Sequence, residues 1–259
     1  MLPPGWATDI AVLEHTGSTI ERHSDHMVLR TPAIPTFHWG NCLLVLDGSA
    51  VDDARRWTET FHRAFPEAGW VAIGLPRLPD DPSAWAVEGL ELELDDVLTT
   101  RTLPAQTPLA PGYTVRRIRG DNWEQVIARA QAENARTGEY EAAGYERFLR
   151  DRTAARRDMC ARGAAAFFGA FAGDTLVADL GIVRCGVQAR YQDVGTDEQH
   201  RGRGLASHLL GVAARWAGER GCTQWVIVTE ATNAAGRVYR RVGFEPDVSS
   251  ASAYRRPPR

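Results

Sequence analysis

The chain predicts an α/β fold, and three observations carry that prediction. Short apolar runs of strand character alternate with amphipathic runs of helical period through the second half. Two extended runs, Ala165 to Phe171 and Thr175 to Val183, flank the tight turn Ala172-Gly173-Asp174, an antiparallel hairpin signal. A glycine loop, Gln199 to Gly204, stands between an extended run and a helical one. With 259 residues, 44% of them hydrophobic, the chain can form one large unit or two small ones.

Taken in order, Thr19 to Arg30 and Phe37 to Leu46 read as extended, the second ending in Cys42-Leu43-Leu44-Val45-Leu46. Asp52 or Asp53 can cap a helix reaching Phe65, with Ala54, Trp57, Phe61 and Ala64/Phe65 at helical spacing. Trp70 to Ile73 is a short buried strand, and Gly89 to Leu94 alternates as a half-buried strand does. Thr99 to Gly112, with Pro104, Pro108 and Pro111, reads as a linker. It divides the chain into residues 1–108 and 113–259.

The second part opens with a strand at Tyr113 to Ile118. A helix capped by Asp121 or Asn122 follows, then a helical stretch from about Tyr145 to Arg162. After the hairpin come a strand through Asp193 and Val194, the glycine loop, and a helix from Leu205 to Glu219. Leu209, Val212, Ala213 and Trp216 give that helix one apolar face, and Gly221 ends it. Trp225 to Val228 is the next strand. A capped helix from Thr232/Asn233 to Arg241 precedes Gly243-Phe244 and a last strand.

The loop Gln199-His200-Arg201-Gly202-Arg203-Gly204-Leu205-Ala206 is built for an anion. The first turn of a helix has backbone N–H groups without internal partners and a partial positive charge. Gly202 and Gly204 allow close backbone approach to a phosphate, and Arg201 and Arg203 bring positive charge. Two other phosphate loops are excluded by spacing. The residue three after Gly204 is Ser207 rather than glycine, and a P-loop needs a lysine, which this chain lacks altogether.

The pattern Q-x-x-G-x-G followed by Leu205-Ala206 resembles the pyrophosphate loop of the GNAT superfamily of N-acetyltransferases. A second motif agrees: Asn233 after the Trp225 strand, then a helix ending in Tyr239-Arg-Arg-Val-Gly243-Phe244. The order of elements from 113 to 259 also matches one complete copy of that fold. The resemblance implies a mixed, mostly antiparallel central sheet flanked by helices. It further implies transfer of an acetyl group from acetyl-CoA to an amine of a small molecule or a protein, by direct attack in a ternary complex.

On this resemblance the cofactor pyrophosphate would lie on the amides of Gly202, Gly204, Leu205 and Ala206, with Arg201 and Arg203 supplying charge and Gln199 shaping the loop. The pantetheine arm would pair with the strand edge Val194-Gly195-Thr196, much as a peptide adds to a sheet. The Val194 amide would polarise the thioester carbonyl. Asn233 would meet the pantetheine or serve only as a helix cap. Tyr239 would protonate the leaving thiolate, or else pack in the core. Arg240 or Arg241 would reach the phosphates or face solvent. Asp193 and Glu230 are the two candidates for a general base, and an amine arriving neutral would need neither. His200 is expected to pack and His208 to face solvent. Glu133, Glu139, Glu141 and Glu146 would draw in a cationic amine, or form a charged helix surface.

Residues 1–108 carry an imperfect echo of the later segment. Ala54-Arg-Arg-Trp57 matches Ala214-Arg-Trp216, Trp70 to Ile73 matches Trp225 to Val228, and Gly89-Leu90-Glu91 matches Gly243-Phe244-Glu245. Where the second copy has its arginines and glycines, the first has Asp47-Gly-Ser-Ala-Val-Asp52-Asp53. Those acids would repel a pyrophosphate, so this half is expected to be a degenerate GNAT-like partner without a cofactor loop. An alternative for the whole chain is a non-catalytic acetyl-CoA-binding sensor or scaffold.

A net charge of −3, with every basic residue an arginine, gives no general field for nucleic acid or an anionic membrane. Cys42, Cys160, Cys185 and Cys222 have no ligand spacing, so free thiols and no metal are expected. The Met1 to Trp6 start lacks a basic region followed by an apolar core, and no run approaches a membrane span. A cytoplasmic protein is expected.

Overall fold

Pro4 occupies the first turn of a helix, where a missing N–H has no consequence, and Gly17, at φ 83°, follows its end. That helix, α1 (Pro4–His15), is absent from the elements expected above. Its signal is Trp6, Ile10 and Leu13 at helical spacing, all buried in this computed structural model, which describes residues 2–257.

The extended run Thr19 to Arg30 is broken at His23–Asp25 into an antiparallel pair, β1 (Thr19–Arg22) and β2 (His26–Arg30). A turn of 3-10 helix at His38–Gly40 takes the start of the second run, leaving β3 (Cys42–Val45). The chain continues through α2 (Ala54–Ala64), β4 (Val71–Leu75), α3 (Ser83–Val87) and β5 (Glu91–Thr100). Then come β6 (Tyr113–Arg117), α4 (Asn122–Thr137), α5 (Ala142–Ala161), β7 (Ala165–Ala172), β8 (Thr175–Cys185) and β9 (Gln188–Thr196). The last elements are α6 (Leu205–Gly218), β10 (Gln224–Glu230), α7 (Ala235–Arg241), β11 (Glu245–Pro246) and β12 (Ser250–Arg255).

The strands form one sheet in the order β1-β2-β3-β4-β12-β5-β10-β9-β8-β7-β6, with β11 also beside β5. Every pairing is antiparallel except β3 with β4 and β9 with β10. This is the mixed, mostly antiparallel sheet that the resemblance implies. Leu209, Ala213 and Trp216 of α6 bury against strands β7 to β10, while Trp57 and Phe61 of α2 bury in a second core built from the first half and β12.

Strands are exchanged across the linker. β5, which precedes it, pairs with β10 from Trp225↔Thr100 to Glu230↔Asp95. β12, near the end of the chain, lies between β4 and β5, with Ala253 opposite both Ile73 and Leu92. Sequence periodicity names a strand's faces but not its neighbour, so this exchange is decided by the whole sheet.

The echo between the halves is repeated in the topology. β3-α2-β4-α3 and β9-α6-β10-α7 each hold a parallel strand pair, and each short second helix ends in a left-handed glycine, Gly89 at φ 71° and Gly243 at φ 104°. Trp85 and Tyr239 stand four residues before those glycines. Their carbonyls accept the matching amides of Leu90 at 3.0 Å and Phe244 at 3.2 Å.

The linker is shorter and better anchored than expected. Strand β5 runs through Thr100, and the Ala105 amide donates to the Val242 carbonyl at 2.9 Å. His208, expected to face solvent, is half-buried beneath it, with Nδ1 2.7 Å from the Thr107 carbonyl. Gln106 lies so close to α6 that a Cβ on Gly211 would come within 2.5 Å of the Gln106 Cβ.

Candidate functional site

The site begins with a ladder that opens. β10 runs beside β9 only from Gln224↔Gln188 to Val226↔Arg190, so the rest of β9 has no strand on that side. On the other side, Gly181 faces Gln192 and Asp179 faces Gly195, which leaves Asp193 and Val194 bulged out of register. Asp193 is the one non-glycine residue with positive φ among the described residues, at 47°.

The bulge is braced from beneath. Arg129 on α4 pairs with buried Asp179 at 2.5 Å and with Asp197. A Cβ on Gly195 would stand 2.5 Å from the Arg129 Nη2, so the glycine leaves room for a guanidinium that two carboxylates hold in place. Burial raises the Asp179 carboxyl, against the opposing pull of Arg129.

Past the bulge, the loop enters α6 with both glycines left-handed, Gly202 at φ 74° and Gly204 at 73°. Gly204 occupies the position that caps the helix, and no side chain there accepts a hydrogen bond. The amides from Gly202 to Ser207 find no acceptor among the described residues. Nothing lies within 4 Å of where a Gly202 Cβ would be. An open row of unpaired N–H groups at a helix start is the environment a phosphate group fits. Arg201 Nε donates to the Thr196 carbonyl at 3.1 Å, tying loop to strand end, and the Arg203 guanidinium lies 5.9 Å from the Tyr113 ring. His200 packs as expected, its Nδ1 2.8 Å from the Tyr113 hydroxyl.

A cleft of about 1500 Å³ joins these parts. Its wall includes Asp193, Val194, Gly195, Thr196, Arg201 to Ala206, Glu230, Asn233 and Tyr239. Gln199, exposed in a turn of 3-10 helix, is the predicted cofactor residue that does not reach this wall. Tyr239 is buried, and its hydroxyl makes no hydrogen bond among the described residues. Burial pushes its pKa up to about 12, so it holds its proton at neutral pH. The Asn233 Oδ1 accepts the Ala235 amide at 2.9 Å, the capping role, while the residue also lines the cleft.

Several predicted groups are already engaged. Asp193 faces Arg152 at 3.2 Å and also Arg156, so its charge is answered twice. Glu230 is exposed at the strand end. Arg240 turns away to Asp96 at 2.6 Å, whereas Arg241 stays on the cleft wall. Glu133 pairs with Arg136, Glu139 with Arg256 and Glu146 with Arg150, while Glu141 caps α5 through the amides of Ala143 and Gly144. Glu133 and Glu139 nevertheless line the cleft, and Glu141 lines a second cavity beside it.

Sequence reasoning missed one cleft residue of consequence, Asp95. It lies in β5, before the linker, yet lines this cleft opposite Glu230. Its only signal is the acidic end of the alternating run Glu91 to Asp96, which carries no motif.

Residues 129–244 match the model of the acetyltransferase (GNAT) family. That stretch of the chain is similar to the GNAT acetyltransferases. Similar folds extend over nearly the whole chain. A functionally unknown conserved protein from Staphylococcus epidermidis aligns with a TM-score of 0.71 at 10% identity, over 92% of this chain and 93% of its own. A GCN5-related N-acetyltransferase from Kribbella flavida gives 0.63 at 15% identity, over 98% and 96%. A tandem GNAT protein from the clavulanic acid biosynthesis pathway gives 0.53 at 15% identity, over 93% and 84%. No curated protein sequence matches this chain. The likeness of fold therefore extends over the first half, which the family model leaves out. None of its described helices is long and apolar enough to cross a membrane.

Proposed function

We propose that this protein is a cytoplasmic N-acetyltransferase that moves an acetyl group from acetyl-CoA to an amine within a ternary complex. The observation that carries the reading is the uncapped start of α6, with its unpaired amides, opening on the same cleft as the bulged edge of β9 and the Tyr239 hydroxyl. Acetyl-CoA, when bound, supplies an activated acyl carbon and a thiol leaving group.

The chain's own residues divide the work. Amides from Gly202 to Ala206 hold the pyrophosphate, with Arg201 and Arg203 adding charge. The unpaired edge Val194-Gly195-Thr196 receives the amides of the pantetheine arm, and Asn233 borders it. The Val194 N–H donates to the carbonyl oxygen as negative charge grows there. Tyr239 gives its proton to the departing sulfur, and burial keeps the phenol protonated until the bond breaks. Residues 113–259 form the catalytic unit, and residues 1–108 form a degenerate partner that lends β5 to it.

The test is release of free thiol from acetyl-CoA in the presence of a panel of amines, alongside calorimetry of acetyl-CoA binding. Acceptor-dependent release is expected. Tight binding without acceptor-dependent release would replace this reading with the sensor or scaffold.

A further inference from the structure

A second cavity, of about 680 Å³, lies at the seam between the two halves. It shares Trp39, Asp95, Tyr140, Tyr145, Arg152 and Arg190, among others, with the wall of the cofactor cleft. Both cavities therefore meet at Asp95.

The walls of the seam cavity are mainly aromatic and come from both sides of the linker. Trp39 and Tyr254 lie 5.8 Å apart, Tyr140 stacks on Tyr145 at 5.0 Å, and Phe37 meets Phe148 at 5.6 Å. His38, hydrogen-bonded to the Tyr254 hydroxyl at 2.6 Å, is lowered by burial to about 4 and is neutral at pH 7. Apolar and aromatic walls select an apolar ligand body, and ring faces also attract a cation.

The charged groups at the seam are ion-paired or hydrogen-bonded, Glu141 through the amides of Ala143 and Gly144, with one exception. Arg190 on β9 meets Asp9 of α1 at 2.8 Å, and Arg152 and Arg156 of α5 share Asp193. Asp95 has neither an ion pair nor a hydrogen bond to its side chain among the described residues. The groups facing it are Asp9 on α1, Glu93 on its own strand, Glu230 on β10 and Arg190 on β9. Burial chiefly, and then the charge of Asp9, raises the Asp95 carboxyl to about 6. It is therefore ionised at neutral pH but basic enough to take a proton.

We infer that the seam cavity is the acceptor site, that it takes a primary amine on an aromatic body, an arylalkylamine, and that Asp95 receives the ammonium and removes its proton. This deepens the acetyltransferase reading and rests on it. The arriving ammonium gives one proton to Asp95, and the freed lone pair forms the C–N bond at the acetyl carbon. The C–S bond breaks, and the sulfur takes the Tyr239 proton. A second proton lost by nitrogen returns to Tyr239 through solvent, and Asp95 releases its own to bulk water. The first half of the chain thus supplies both a wall of the acceptor site and its base.

The experiment compares phenethylamine and tryptamine with ethylamine and glycine in thiol release, and measures binding of the same amines to the CoA-loaded protein by calorimetry. The aromatic amines are expected to show kcat/KM at least about tenfold higher, with a limb that rises with pH through about 6. Asp95→Asn should lower kcat/KM by about 100-fold and abolish that limb, with acetyl-CoA affinity and melting temperature retained. Trp39→Ala should raise KM for tryptamine more than for ethylamine. Equal turnover of compact amines, or a loss below about threefold in Asp95→Asn, would overturn the inference and leave the acetyltransferase reading intact. Asp95-dependent binding of tryptamine without thiol release would keep the site and overturn the reaction. Absence of both binding and turnover of the aromatic amines would overturn the site itself.

Discussion

The two halves use the same strand-loop-helix unit and reach opposite chemistry at the start of its helix. In the second, α6 begins at Gly204 with no side-chain cap and a row of amides left unpaired. In the first, Asp53 accepts the Arg56 amide at 3.1 Å and Asp47 accepts the Ser49 amide at 2.9 Å. Asp52 takes the Asp80 amide at 2.6 Å and faces Arg77 at 3.3 Å. Carboxylates of the chain occupy the place that an external anion would take. The second helix of each unit differs in the same sense. Trp85 is fully buried and donates its indole N–H to the Val51 carbonyl at 3.0 Å, whereas Tyr239 keeps its hydroxyl free at the cleft. Satisfying the polar groups around this helix start internally yields a stable partner; leaving selected ones unsatisfied yields a site.

That contrast can be broken at both ends. Trp85→Ala should destabilise the fold by about 3–5 kcal/mol, the range for emptying a large aromatic site, while leaving acetyl-CoA affinity unchanged in folded protein. Denaturant unfolding and calorimetry check the two halves of that statement. Gly204→Glu adds a side chain at φ 73° and a carboxylate among the unpaired amides, so acetyl-CoA affinity should fall by two to three orders of magnitude, about 3–4 kcal/mol. Unchanged affinity would remove the loop assignment. Tyr239→Phe should lower kcat by about 100-fold with acetyl-CoA binding preserved, and equal turnover across pH would dismiss Tyr239 as the acid. Smallest is Asp53→Ala, expected to cost about 1 kcal/mol of stability through the lost cap and to leave turnover untouched. A drop in acetyl-CoA affinity there would mean that the first half touches the cofactor after all.

The legible part of this protein lies in short-range relations. Gly202 and Gly204, the cap at Asn233, the hairpin turn at Gly173 and the apolar face of α6 are all set by residues within a few positions of one another. The loop and Tyr239 could thus be placed on their elements from sequence. Helix α1 was legible in principle, through Pro4, Trp6, Ile10 and Leu13, because its signals are of the same local kind.

What the tertiary structure decided is who stands beside whom. Nothing in Glu91 to Thr100 says that it pairs with β10 rather than with its own half, because alternation fixes the faces of a strand and not its partner. The same exchange puts Ser250 to Arg255 between β4 and β5. Asp95 reaches the cleft only through that choice, and its raised pKa follows from burial that no local pattern encodes. The Asp193 carboxylate is ion-paired for the same reason: two arginines on α5, far from it in sequence, come to rest on it. The sequence alone determined how the glycine loop is made. Long-range strand pairing decided what faces it.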